Sequence, residues 1–253
     1  MPEFLTWELL AVVGIGFAAQ VIDGALGMAF GVVSTSAMLA LGMPPAQASA
    51  VVHTAEIFTT GASAASHIYH RNVDWRLVTR LGIAGVAGAV LGAWVLSNVD
   101  ASVVRPYVAV YLSAIGLFIL FKALRQFPTR DAPAGWVPPV GFAAGFLDAS
   151  GGGGWGPVAT SALVGSGHAP RMAVGSVNTT EFFVTIAAAT TFFVELGASP
   201  LPSLVALIIG GVIAAPFGGW LVKRVSPRLL MILVGTLILV LAIWQLVRAF
   251  KLM

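Results

Sequence analysis

The sequence predicts an all-α polytopic membrane protein built from two inverted-topology repeats. Three observations point there: a composition too apolar for a soluble core, an internal duplication, and a one-sided distribution of positive charge. Of 253 residues, 58% are hydrophobic and 9% charged, with mean hydropathy +0.95. Soluble domains carry roughly 25% charged residues. The apolar runs are long and unbroken, unlike the roughly ten-residue alternating segments of a membrane barrel. Cysteine is absent, which leaves no disulfide framework and no thiol metal site. The opening MPEFLTWELLAVVGIGF has two glutamates and no Lys or Arg, so it is expected to stay in the mature protein rather than act as a secretory signal. The net charge of +3 is read as basic cytoplasmic loops, not as a nucleic-acid surface.

The duplication is direct. GFAAQVIDGALGMAFG (16–31) lies over GFAAGFLDASGGGGWG (141–156) at an offset of 125, without a gap through Ala62 and Ala187. Matched pairs include Asp23/Asp148, Gly27/Gly152, Gly31/Gly156, Thr35/Thr160, Thr54/Thr179 and Glu56/Glu181. After one added residue, GVAGAVLGAW (85–94) lies over GVIAAPFGGW (211–220). The first membrane repeat is 1–125 and the second 126–253, together one integral-membrane domain joined by the polar linker RQFPTRDAPAG (125–135).

Each repeat divides into five apolar segments: 4–22, 28–42, 46–66, 77–97 and 103–124, then 136–148, 154–166, 171–194, 201–222 and 228–250. A spanning helix needs about 20 residues. Segments three to five of each repeat reach that length; 28–42, 136–148 and 154–166 do not. Two short arms around a glycine-rich tip predict a re-entrant hairpin, while 4–22 is long enough to span. With five crossings per half, or a hairpin plus three, Arg71, Arg76, Arg80, Lys122, Arg125, Arg130, Arg171, Lys223, Arg224 and Arg228 fall on one face. Arg105, Arg248 and Lys251 fall on the other. Counting each short pair as one broken crossing gives a weaker split of eight to five. The positive-inside rule selects the sharper one, which places both termini outside and makes the halves inverted copies.

Four constellations stand out. Gly151, Gly152, Gly153 and Gly154 follow Ser150, and in a bilayer such non-helical backbone survives only inside protein or beside a cavity. The helix starting near Trp155 aims its free N–H groups and positive dipole end at that place, as an anion-binding nest. Gly24 and Gly27 sit at the first-repeat counterpart; tight helix crossing is the alternative reading for these glycines. Asp23 and Asp148 beside the tips are either helix caps or proton-exchanging groups. Ser49, His53, Glu56, Thr60, Ser63 and His67 step by four and three along one helix face, and the second copy keeps Asn178, Glu181 and Thr185, then turns apolar at Ala188 and Phe192. That face is helix-to-helix glue or a proton relay, with His53, Glu56 and Glu181 as coupling or gating groups. Gly88-xxx-Gly92 and the rows Gly210/Ala214/Gly218 and Gly211/Ala215/Gly219 predict close helix packing. His53 and Glu56, three apart, make only a weak two-residue metal pattern, and with no other metal-ligand spacing, Walker sequence or catalytic group neither an enzyme nor a cofactor is expected.

The duplicated GF-x5-D-x3-G pattern, the Pro-led helix carrying T-x-E, and the size near 250 residues resemble the TauE/SafE family of sulfite and organosulfonate exporters. The resemblance covers both halves. The first copy departs from it, with His53-Thr54-Ala55-Glu56 where the second has Asn178-Thr179-Thr180-Glu181. It implies a secondary transporter of small sulfur oxyanions or sulfonates in the bacterial cytoplasmic membrane. The expected partners are that anion and the lipid bilayer, with homodimer formation admitted and nucleic acid not expected. Substrate-binding groups are then expected at Asp23, Gly24, Gly27, Asp148, Ser150, Gly151–Gly154, Trp155, Asn178 and Thr179. The rival readings are a cation or metal transporter using the four acids, and a passive anion channel.

Overall fold

The computed structural model describes residues 7–125, 134–221 and 226–251, and every regular element among them is helical. In chain order the helices are α1 (Trp7–Leu26), α2 (Phe30–Ala40), α3 (Pro45–Tyr69), α4 (Trp75–Asn98), α5 (Ala101–Leu124), α6 (Val137–Gly151), α7 (Ser161–Gly165), α8 (Pro170–Leu196), α9 (Leu201–Leu221) and α10 (Pro227–Lys251). A short 3₁₀ turn, Ala134–Trp136, leads into α6, and a π-helical turn, Gly156–Thr160, leads into α7. Most of the linker 125–135 lies outside the described residues, as do Arg130, Lys223 and Arg224 of the charge argument.

Helix ends follow local chemistry. Asp74 caps α4 by accepting from the Arg76 N–H at 2.8 Å and the Leu77 N–H at 3.4 Å. Asp100 caps α5 through the Ser102 N–H, and the Ser102 hydroxyl and amide hold its exposed carboxyl below the usual carboxylate range. Prolines open α3 and α8, where a missing N–H costs nothing.

Four helices are long and apolar enough to cross a bilayer: α4, α5, α8 and α10. By length alone α1, α3 and α9 also reach the span, with 20, 25 and 21 residues. With 11 residues, α2 extends about 16 Å, roughly half of a 30 Å core. Half of the α8 spanning window is buried, against 33–39% for α4, α5 and α10. So α8 and its partner α3 form the inside, and the other three face lipid. The outer face of α10 carries Leu229, Leu233, Leu237, Val240, Trp244 and Val247, all exposed. An apolar surface of that extent suits contact with lipid hydrocarbon.

The two halves are intertwined. The main pairings are α4 with α6, α1 with α9, α5 with α10 and α3 with α8, each joining one half of the chain to the other. Glycine makes the first two possible. A Cβ on Gly88 would overlap the Phe142 carbonyl, and one on Gly145 the Gly85 carbonyl. Between α1 and α9, a Cβ on Gly16 would sit 2.5 Å from the Leu207 oxygen, and one on Gly210 would overlap the Val13 oxygen. The backbones touch, as small-residue rows in membranes allow. Two glycines of α1 therefore behave oppositely. Gly16→Ala forces α9 away and is expected to destabilise by about 1–3 kcal/mol. Gly14, with nothing within 4 Å of an added Cβ, tolerates alanine and gains up to about 1 kcal/mol. Thermal unfolding in detergent of both variants checks this.

Candidate functional site

Each of the two helix breaks expected as hairpin tips, and called tips and hairpins below, is closed by an aspartate. In the first, the Asp23 carbonyl accepts from the Gly27 N–H at 2.5 Å, while carboxylate Oδ1 accepts from the Ala29 and Phe30 N–H groups at 2.7 and 3.2 Å. In the second, the Asp148 carbonyl accepts from the Gly152 and Gly153 N–H groups, and Oδ1 accepts from the Trp155 N–H at 2.9 Å. One side chain thus bridges from the end of one arm to the amino end of the next. Helix amino ends carry unpaired N–H groups and partial positive charge. The aspartates satisfy the first of these groups. Gly152, Gly153 and Gly154 have φ of +78°, +132° and +144°, a backbone that side-chain-bearing residues rarely adopt.

The tips cross in backbone contact. A Cβ on Gly153 would lie 2.5 Å from the Val32 nitrogen, and one on Gly156 would lie 2.6 Å from the Met28 Cα. Between them is a cavity lined by both amino ends (Ala29–Gly31 and Trp155–Gly156) and by four carboxyl groups, Asp23, Glu56, Asp148 and Glu181. Its volume, about 10 Å³, is room for roughly one water.

Helix α3 delivers two of the polar groups. Ser49, His53, Glu56 and Thr60 are all buried, while Ser63 and His67 are half-buried toward its end. His53 Nε2 lies 3.1 Å from Asp148 Oδ2, and Nδ1 lies 2.8 Å from the Ser49 carbonyl oxygen. The Ser49 hydroxyl donates to the Ala149 carbonyl at 3.0 Å. Glu56 reaches α2: a Cβ on Gly31 would sit 2.8 Å from Glu56 Oε1. The Thr59 and Thr60 hydroxyls donate to the Glu56 main-chain carbonyl, not to its carboxyl. Both Glu56 and Glu181 carboxyls face the cavity.

The expected residues divide. Asp23, Asp148, Gly154, Trp155, Glu56 and Glu181 converge on the cavity, and His53 touches it through Asp148. Gly27, with φ +66°, makes the first tip's turn, and Gly24 lies within α1. Ser150 turns back to the Phe146 carbonyl, 2.6 Å away. Gly151 packs on the Tyr111 ring and Gly152 on Thr35. The Thr179 hydroxyl donates to the Gly175 carbonyl, and Asn178 contacts His67 Nε2 at 3.3 Å. None of these last five lines the cavity. The aspartates' capping role, one of two alternatives above, is realised at both tips.

Sequence reading passed over several participants. The Tyr111 hydroxyl donates to the Gly153 carbonyl at 2.8 Å, clamping the second tip from α5. A tyrosine inside an apolar span, with a hydroxyl to satisfy, was the available signal. Lys122 was counted with the linker cations, yet its half-buried side chain places Nζ 3.0 Å from Ser161 Oγ and 3.9 Å from Met28 Sδ. The matched Thr35 and Thr160 hydroxyls are buried on the two returning arms with no hydrogen-bond partner among the described residues.

Comparison with known proteins places this architecture. Residues 12–244 match the family described as Sulfite exporter TauE/SafE. The chain is 44% identical over 243 residues to YtnM of Bacillus subtilis (strain 168), a protein described as a probable membrane transporter, covering 92% of this chain and 80% of that one. It is 30% identical over 118 residues to a probable membrane transporter protein of Haemophilus influenzae (strain ATCC 51907 / DSM 11121 / KW20 / Rd), covering 45% of each chain. No solved structure matches significantly.

The caps rank the two aspartates. Asp148→Ala strips a buried N–H and a buried imidazole of their partner, a loss of about 1–3 kcal/mol for each orphaned group. Asp23→Ala removes a cap alone, worth about 0.5–2 kcal/mol. Asn at either position keeps the cap and is expected to lie near wild type in thermal unfolding in detergent.

Proposed function

The chain belongs to the sulfite exporter TauE/SafE family of membrane transporters, and from that premise we propose that it is a secondary active exporter of small sulfur-containing anions such as sulfite, sulfoacetate or related sulfonates. The observation that carries the reading is the pair of helix amino ends meeting at one cavity between glycine tips. Their N–H groups and dipoles suit a tetrahedral or pyramidal oxyanion, and glycine lets the anion approach the backbone. Among the described residues no Lys or Arg lines the cavity, so recognition falls to main-chain amides and hydroxyl groups. Thr35 and Thr160 supply unpaired hydroxyls nearby.

The repeats work as inverted copies. Their reciprocal packing supports this: α4 meets α6 as α9 meets α1, and α4 meets α8 as α9 meets α3. A cavity the size of one water is too small for sulfite, so transport requires the tips to part, first toward one face and then the other. In this reading the cationic loops are cytoplasmic and both termini lie on the outer side of the cytoplasmic membrane. Four carboxyl groups beside an anion site are costly unless protons neutralise them. We assign Glu56 and Glu181 to proton exchange with the cargo, because no hydrogen bond ties either carboxyl among the described residues.

The same carboxyls are the basis of the cation reading. Among the described residues, no three ionisable or thiol groups are placed to hold a metal ion. Thermal stabilisation separates the two: sulfite or sulfoacetate at millimolar concentration should raise Tm, and divalent cations should not. Stabilisation by divalent cations alone would reverse the assignment. In proteoliposomes, sulfite or sulfoacetate efflux should saturate and be driven by a pH gradient. Glu56→Gln and Glu181→Gln should each lower the gradient-driven component at least tenfold. Non-saturating flux that ignores the gradient would make the protein a channel, and unchanged pH dependence in both variants would remove the relay.

A further inference from the structure

His53 is where the two copies of the hairpin are served differently. The matched residue of the second half is Asn178, which turns to His67 and makes no bond to Asp23. The His53 ring instead crosses from α3 to the second hairpin, with Phe192 of α8 packed on it at 5.9 Å between ring centroids.

The partners of that ring fix its protons. The Ser49 carbonyl beside Nδ1 only accepts, so Nδ1 carries a hydrogen and donates at 2.8 Å. Asp148 Oδ1 accepts from the Trp155 N–H, so a carboxyl proton can sit only on Oδ2. Between Nε2 and Oδ2, 3.1 Å apart, there is then a single proton, whether the pair is written imidazolium–carboxylate or imidazole–carboxylic acid. Removing it leaves two lone pairs facing each other in a buried place. Adding a second puts an O–H on Oδ1 against the Trp155 N–H and breaks the cap. One proton is the count that keeps both the contact and the helix start.

The surrounding charges sharpen the consequence. The other ionisable groups facing the pair are Glu56 on α3, Glu181 on α8, Asp23 at the end of α1, and Tyr111 of α5, whose hydroxyl holds the Gly153 carbonyl. None is a cation, so a pair that has lost its proton finds no counter-charge in the cavity wall.

We propose that His53 and Asp148 form a one-proton binding site that latches the second hairpin to α3, and that release of the proton into the cavity frees this hairpin, a control the first hairpin lacks. That the release moves an anion rests on the transporter reading; the latch itself does not.

The cysteine-free chain gives a clean probe. Thr160 lies on the returning arm of the second hairpin and is 3% exposed. Thr160→Cys is introduced alone, with His53→Asn, and with Asp148→Asn. Each protein is reconstituted in vesicles without any sulfur anion, and the rate of modification by a small membrane-permeant thiosulfonate is followed across pH. Comparing one thiol in three backgrounds cancels its own ionisation. With the native pair, labelling should be slow at low pH and rise at least tenfold across a one-proton step. His53→Asn copies the residue found naturally at 178, and should label fast at every pH. Asp148→Asn keeps the Trp155 cap and donates a non-titrating N–H to Nε2, so it should label slowly at every pH. A native pH step that survives in either variant overturns the latch. So does labelling that is equally fast in Asp148→Asn and His53→Asn. Absence of sulfite or sulfoacetate flux in the same vesicles counts against the substrate reading and not against the latch, whose readout needs no substrate.

Discussion

Peptide groups that leave a helix inside a bilayer have no water to bond with, and the interior of this protein is arranged around that constraint. Two breaks between helices occur in the interior, at 27–29 and 152–154. Each exposes the amino end of a returning helix. Asp23 and Asp148 satisfy these ends, and the Tyr111 hydroxyl takes the Gly153 carbonyl. Because the aspartates are acids, the solution brings negative charge to the centre of the molecule. The cavity, the neighbouring glutamates and the His53 contact all follow from how that charge is managed.

The second determinant is backbone contact. Wherever the hairpins and their neighbours meet, glycine replaces a side chain. Gly145 sits under Gly85 in α4, and Gly153 under Val32 in α2. Such contacts leave no soft layer of side chains to absorb displacement, so a tip moves as a body with its arm. What resists that motion is a small number of polar links, chiefly Tyr111 to Gly153, Ser49 to Ala149 and His53 to Asp148. All three act on the second hairpin. Against the first, the polar contacts from other helices among the described residues are a weak one from Lys122 to Met28 Sδ at 3.9 Å and one from the Gln245 amide to the Ser36 carbonyl at 3.3 Å, in the body of α2 rather than at the tip. The symmetry of the sequence is therefore stronger than the symmetry of the restraints.

The helices were largely legible in the sequence, because hydropathy and glycine report directly on lipid contact and on chain reversal. The segment 28–42 became α2, Phe30–Ala40, and 154–166 became the π turn and α7, Gly156–Gly165. The acids were legible too, since Asp23, Glu56, Asp148 and Glu181 stood out as ionisable groups in apolar surroundings. What joins them was not. The contact of His53 with Asp148 spans 95 residues, and no periodicity connects positions so far apart. Asn178 is one turn before Glu181 and meets His67 at another depth along the helix, while Thr179, two residues before Glu181, is on another face and bonds back to Gly175. Lys122 misled for another reason: a long aliphatic stem carries its charge well away from its own Cα.

The pairing of α1 with α9 also has a meaning for how the protein is made. The end of α1 and the start of α9, Leu26 and Leu201, lie 175 residues apart, the difference of the two positions. At about 5–20 residues per second, α1 is complete roughly nine to thirty-five seconds before synthesis of its partner begins. Through that interval the groove at Gly16, shaped to receive a bare backbone, faces lipid or the insertion machinery. The same holds for α3, which carries His53 and Glu56 into the bilayer before α8 exists to cover them. Neither half can reach its final packing alone, so assembly of the interior is an event that follows synthesis of nearly the whole chain.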